Sequence, residues 1–142
     1  MKEVSFFVDI EPQPWQRPKT RVVKGYVKHY SPTKTKKYEK QIADTYRSIT
    51  KAPFFEQDQP LRVAIHFDMP VPKSTSKKKQ VLMFCGLIKH LKRPDVDNLG
   101  KAVLDALNGV AWADDAQIVS LNLRKRYALH GSIWVHIAED CE

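Results

Sequence analysis

The chain reads as a single α/β domain, with α+β as the alternative, built from a mixed β-sheet and flanking helices. Three observations lead there. Apolar or alternating strand-like runs recur at residues 4–10, 61–69, 117–123 and 132–137, the patterning that half-buried strands require. Two segments between them carry apolar residues at helical spacing, one after Ser31-Pro32 and one after Asp97-Asn98. Finally, 142 residues with 42% apolar content can bury one real core, and no repeat or linker divides residues 1–142.

Each element has its own punctuation. The first strand, residues 4–10, ends in the Pro12, Pro14 and Pro18 series, and a basic loop follows. Residues 21–30 read as a hairpin around Lys24-Gly25. Ser31 then offers an N-cap and Pro32 a first-turn proline to a helix with Tyr38, Ile42, Tyr46 and Ile49 on one stripe. Lys34, Lys36, Lys37 and Lys40 fall elsewhere on that helix. After the strand at 61–69, residues 76–84 suit a short helix with a basic beginning. Leu99, Val103, Ala106 and Leu107 define the next helix, from about Asn98 to Leu107, with Asp97 or Asn98 as its N-cap and a stop near Asn108-Gly109.

The formal charge of +8 and a pI near 9.5 point to a polyanionic partner, since Lys and Arg beside phosphates release condensed counterions. Cys85 and Cys141 are too few and too far apart for a disulfide framework, so a reducing cytoplasm is the expected compartment. No segment approaches the ~20 apolar residues of a membrane span, and no membrane partner is expected.

Against that basic background stands an acidic island. Residues 93–101 read Arg-Pro-Asp-Val-Asp-Asn-Leu-Gly-Lys, and residues 112–117 read Trp-Ala-Asp-Asp-Ala-Gln. Clustered carboxylates are what hard divalent cations need, because magnesium and manganese take oxygen ligands and keep positions open for substrate phosphates. In an extended segment Asp95 and Asp97 face one spot while Val96 turns into the core. Lys101 lies one helical turn beyond Asp97 and leans back toward the acids, and Asp105, one turn further, suits capping or pairing with Lys101. A strand, helix and strand in this order would bring Asp114-Asp115 beside the first pair.

These residues resemble the RusA-type Holliday junction resolvases, small endodeoxyribonucleases frequent in phages and prophages. The resemblance rests on Pro94-Asp95-Val96-Asp97-Asn98-Leu99 with Lys101, on Leu104-Asp105-Ala106-Leu107, and on Asp114-Asp115-Ala116-Gln117-Ile118. Pro14-Trp15-Gln16-Arg17-Pro18 and Tyr30-Ser31-Pro32 look like N-terminal segments of its Gram-positive and phage branch. The resemblance implies that Asp95, Asp97 and Asp115 are catalytic metal ligands, with Asp114 a further candidate, and that Lys101 is an accessory catalytic residue. It also implies Mg2+, with Mn2+ as a substitute, paired cuts in four-way DNA junctions during recombination and repair, a homodimer, and a bacterial host cell.

Other assignments follow from the residues themselves. Lys77, Lys78 and Lys79, with Lys73, Lys89, Lys92 and Arg93, make the approach to the acids basic and suit phosphate guidance, although a charge run alone is usually a solvated face. His90 is a candidate substrate contact. Trp15, Trp112, Trp134 and Tyr30 could stack on unpaired bases, while core packing is the commoner use of aromatics. Two other functional classes fit: a less specific magnesium nuclease acting on branched DNA or flaps, and a non-catalytic DNA-binding module.

Overall fold

The computed structural model describes residues 1–30, 32–51 and 54–142, with all their side chains except that of Tyr30. In chain order the elements are β1 (Glu3–Val8), β2 (Lys19–Val23), β3 (Tyr26–Tyr30), α1 (Thr33–Ile49), β4 (Leu61–Pro70), α2 (Lys77–Phe84), α3 (Val96–Leu107), a 3-10 turn (Asp115–Gln117), β5 (Ile118–Ala128) and β6 (Ser132–Glu139). The α/β expectation holds.

One mixed sheet, ordered β1-β6-β4-β5, organises the domain; β4 runs parallel to β5 and antiparallel to β6, and β1 is antiparallel to β6. Alternation along β4 sends Leu61, Val63, Ile65, Phe67 and Met69 to the covered face, where they meet Ile133, Val135 and Ile137 of β6 and Phe6 and Val8 of β1. Helices α1 and α3 cover that face with Tyr38, Ile42, Tyr46, Leu99, Val103 and Leu107. Burying each such side chain is worth about 1.5–3 kcal/mol, so this layer is the main source of stability. Among the described residues no helix is long and apolar enough to cross a membrane, and Cys85 and Cys141 are exposed free thiols.

Several boundaries move from their expected places for local reasons. The first strand stops at Val8, because Ile10 N–H turns back to the Val8 carbonyl. Helix α1 has Pro32 as its N-cap, and the expected Ser31 cap lies outside the described residues. Ile49 is half exposed, since the helix ends there and Thr50 is extended. Strand β5 runs on to Ala128 through Arg124, Lys125 and Arg126, whose charges hid it from the apolar pattern; pairing with β4 as far as Pro70 carries it.

Candidate active site

Asp95 is the N-cap of α3 and Asp97 lies in its first turn. The acids therefore do not share a strand face, and Val96 is half-buried on the helix rather than turned into the core. The helix begins two residues earlier than expected because Asp95 is extended, with φ −69° and ψ 146°, and its carbonyl accepts Leu99 N–H at 3.1 Å to close the first turn. The Asp95 carboxylate makes no capping bond. Both it and Asp97 are exposed at the positive end of the helix dipole, where backbone N–H groups favour anionic charge.

Down α3, Asp97, Lys101 and Asp105 form a stripe at four-residue spacing. The Lys101 Nζ sits 3.6 Å from the centroid of the Trp15 ring. Trp15 is itself fastened to α3, its backbone N–H donating to the Asn98 carbonyl at 2.9 Å and its side chain hydrogen-bonding Asp105. Asp105 is exposed on α3, but partial desolvation still pushes its carboxyl above the ordinary carboxylate range; Lys101 opposes this, Asp115 adds to it and the Trp15 bond opposes it. Glu39 of α1 is raised by burial and by the charge of Asp105. Asp105 thus feels the charge of Asp115, and Glu39 that of Asp105.

The turn before β5 fixes Asp115 from two sides. Asp114 Oδ1 accepts Ala116 N–H at 3.1 Å and Gln117 Oε1 accepts the backbone N–H of Asp114 at 3.2 Å, which makes a capping box of the turn, and Gln117 Oε1 also accepts Ala113 N–H at 2.8 Å. Gln117 Nε2 also donates to the carbonyls of Glu56 and Gln59, tying the turn to the segment before β4. Trp112 is buried, and its Nε1–H donates to Asp115 Oδ1 at 2.7 Å. Trp112 is therefore a buried anchor for one carboxylate oxygen and is not open to base stacking, while Asp114 spends one oxygen on the cap.

The loop entering α3 is held from below by a residue that sequence reasoning missed. Lys125 of β5 donates from Nζ to the carbonyls of Lys92 at 2.7 Å and Pro94 at 2.9 Å. It occupies the core-facing register between Leu123 and Tyr127, where a cation needs a buried acceptor; that mismatch was its signal. Gly100 lets α3 approach β5, since a Cβ there would stand 2.4 Å from Leu123 Cδ1.

Arg93 lines a cleft of about 600 Å³ with Pro14, Trp15, Pro94, Asp95 and Asn98. Lys92 is exposed in the same loop, whereas Lys73 follows β4 and Lys77, Lys78 and Lys79 open α2, all exposed and none of them lining that cleft. Lys89 lines a separate groove beside β5, together with His90, Arg124 and Tyr127. His90 packs on Tyr127 at 4.9 Å, and burial and Lys125 lower its pKa. Trp134 lies on the sheet face away from the helices, half-buried between His66 and His136. Tyr30, the fourth aromatic candidate, has its side chain outside the described set.

The donor chemistry suits a hard divalent cation: Asp95 and Asp97 offer uncommitted carboxylates, and Asp115 keeps Oδ2 beyond its bond to Trp112. Among the described residues no three Asp, Glu, His or Cys side chains are drawn together into a set that could hold a metal ion.

Comparison with known proteins completes the picture. The family described as Endodeoxyribonuclease RusA matches residues 9–138, a span from the end of β1 to β6 that contains every acid discussed above. A Bacillus subtilis (strain 168) protein described as uncharacterized protein YqaN is 32% identical over 136 residues, covering 96% of this chain and 96% of that protein. This chain belongs to the RusA endodeoxyribonuclease family.

Proposed function

We propose that the protein is a magnesium-dependent Holliday junction resolvase, hydrolysing phosphodiesters in paired strands of a four-way DNA junction as a homodimer. The observation that carries the reading is the pair of uncommitted, exposed carboxylates, Asp95 and Asp97, set beside the Arg93-lined cleft in a chain of an endodeoxyribonuclease family. Asp95, Asp97 and Asp115 would hold the ion, with Mn2+ able to substitute for Mg2+, and binding would have to draw these carboxylates closer than they stand without it. When bound, the metal supplies water activation and charge neutralisation at the scissile phosphate.

The chain's own residues do the rest. Arg93 lines the cleft wall and can contact the phosphate backbone there. Trp112 restrains Asp115 so that its free oxygen keeps one direction. Lys101, resting on Trp15, is a cation within reach of the acid stripe and can stabilise negative charge developing on the leaving oxygen. Lys125 keeps the Lys92–Pro94 backbone from shifting beneath substrate. A two-fold dimer would present two equivalent sites to symmetry-related strands, which paired cutting requires.

The test is cleavage of a mobile-core four-way junction with and without magnesium, alongside a flap and a linear duplex. Paired nicks confined to the junction support the reading. Equal cutting of all three substrates replaces it with a less specific nuclease, and binding without magnesium-dependent cutting leaves a DNA-binding module.

A further inference from the structure

Strands β2 and β3 form a two-stranded sheet of their own, and every described side chain in the ribbon is exposed, with Val22 72%, Tyr26 79% and Val27 64% accessible. A lone two-stranded ribbon is marginal in water and is a natural candidate for an external partner. Its tip is well specified: Lys24 and Gly25 have φ of 50° and 81°, the positive pair that a type I′ turn needs.

The register gives the ribbon two unlike faces. Lys19 pairs with Tyr30, Arg21 with Lys28 and Val23 with Tyr26, so Lys19, Arg21 and Lys28 share one side; Thr20, Val22, Val27 and His29 share the other. From Pro12 to Tyr38 the sequence holds eight Lys and Arg and no Asp or Glu. Such a face complements a phosphate backbone, and a two-stranded ribbon has the dimensions to enter a major groove. The root of the ribbon follows Trp15, which is bonded to Asn98 and supports Lys101 at the acid cleft.

We infer that the β2–β3 hairpin is a DNA-gripping arm whose cationic side lies on the sugar-phosphate backbone of the duplex leading into the acid cleft. The inference rests on DNA being the substrate but not on that DNA being a four-way junction. Lys and Arg on the gripping side reach phosphates, so the arm supplies position and affinity without strong base preference.

Binding of the full-length protein to a four-way junction and to a linear duplex, in magnesium-free buffer over a salt series, tests the arm. The variant Lys19→Gln, Arg21→Gln, Lys24→Gln, Lys28→Gln should lower the log-log salt slope by up to about 3.6 on both DNAs, given about 0.9 per lost phosphate contact. Trypsin cleavage of the unaltered protein after Lys24 should slow when DNA is added, a readout independent of whether the variant keeps its ribbon. An unchanged slope with no protection at Lys24 overturns the proposal. So does an unchanged slope with a shift in oligomeric mass, which would assign the ribbon to a second copy of the chain. Arm-dependent binding by a protein that does not resolve junctions would keep the arm and remove the resolvase reading.

Discussion

Helix α3 and the β2–β3 hairpin stand at opposite extremes of one molecule. In α3, Leu99, Val103 and Leu107 are fully buried, Gly100 brings the helix against β5, and the acids project from a surface that the core holds still. The hairpin buries nothing among its described side chains, and a strict register and a tight turn specify it. The difference teaches where rigidity is needed. On the proposed reading, phosphodiester chemistry needs carboxylates held by packed elements, whereas capture of a phosphate backbone would tolerate a ribbon ordered by its partner.

The largest separation between the two regions should come from Asp97→Asn, which removes a charge with little change of shape. Cleavage should fall on the order of 1000-fold, because charge stabilisation through a metal is worth several kcal/mol. Junction affinity, carried by cations elsewhere, should stay within a few-fold. Full magnesium-dependent cleavage by a folded Asp97→Asn protein would remove Asp97 from the metal set. Next comes Lys101→Ala, expected to lower the single-turnover rate at saturating DNA by about 10–100-fold while the dissociation constant changes less. An unchanged saturated rate rejects a catalytic role for Lys101.

Two glycine substitutions sharpen the comparison on stability. Gly100→Ala drives a Cβ into Leu123 and should destabilise the whole domain by about 1–3 kcal/mol, the usual range for overpacking. Gly25→Ala meets no atom within 4 Å, but its φ of 81° strains an L-residue by about 1–2 kcal/mol. That strain falls on the arm. Thermal denaturation should show a lowered midpoint for Gly100→Ala and an unchanged one for Gly25→Ala; a matching drop for both would mean that the hairpin folds with the core.

Much of the fold is legible in the sequence. The strand cores of β4 and β6 and the apolar stripe of α3 declared themselves by period, and the Lys24-Gly25 turn by its residues. The phase of Asp95 and Asp97 was not legible, because a DxD before an apolar stripe reads equally as extended chain or helix start, and the Asp95–Leu99 backbone bond decides it. Long-range partners were hidden as well. Trp15 reaches Lys101, Lys125 reaches Pro94, and Glu39 feels Asp105, each across a sequence separation that no local pattern encodes.

The smallest expected effect belongs to Asp105→Asn, and it probes what the packed region gives up to keep acids together. Partial desolvation of this exposed carboxyl, reinforced by Asp115, raises the Asp105 pKa, with Lys101 and Trp15 only partly offsetting this. A carboxyl raised in the folded state binds its proton more tightly there than in the unfolded chain. Stability therefore falls as pH rises from the ordinary Asp value through the raised one, and the loss persists at neutral pH. The amide cannot ionise and can still accept the Trp15 bond, so Asp105→Asn should raise the melting midpoint by about 1–2 °C at pH 7, a sub-kcal/mol effect for a domain of this size. Below the ordinary Asp pKa both proteins carry a neutral side chain, and the gain should vanish. A midpoint lowered at pH 7 and recovering toward acid pH would show that Lys101 pairing, rather than desolvation and Asp115, dominates at this position.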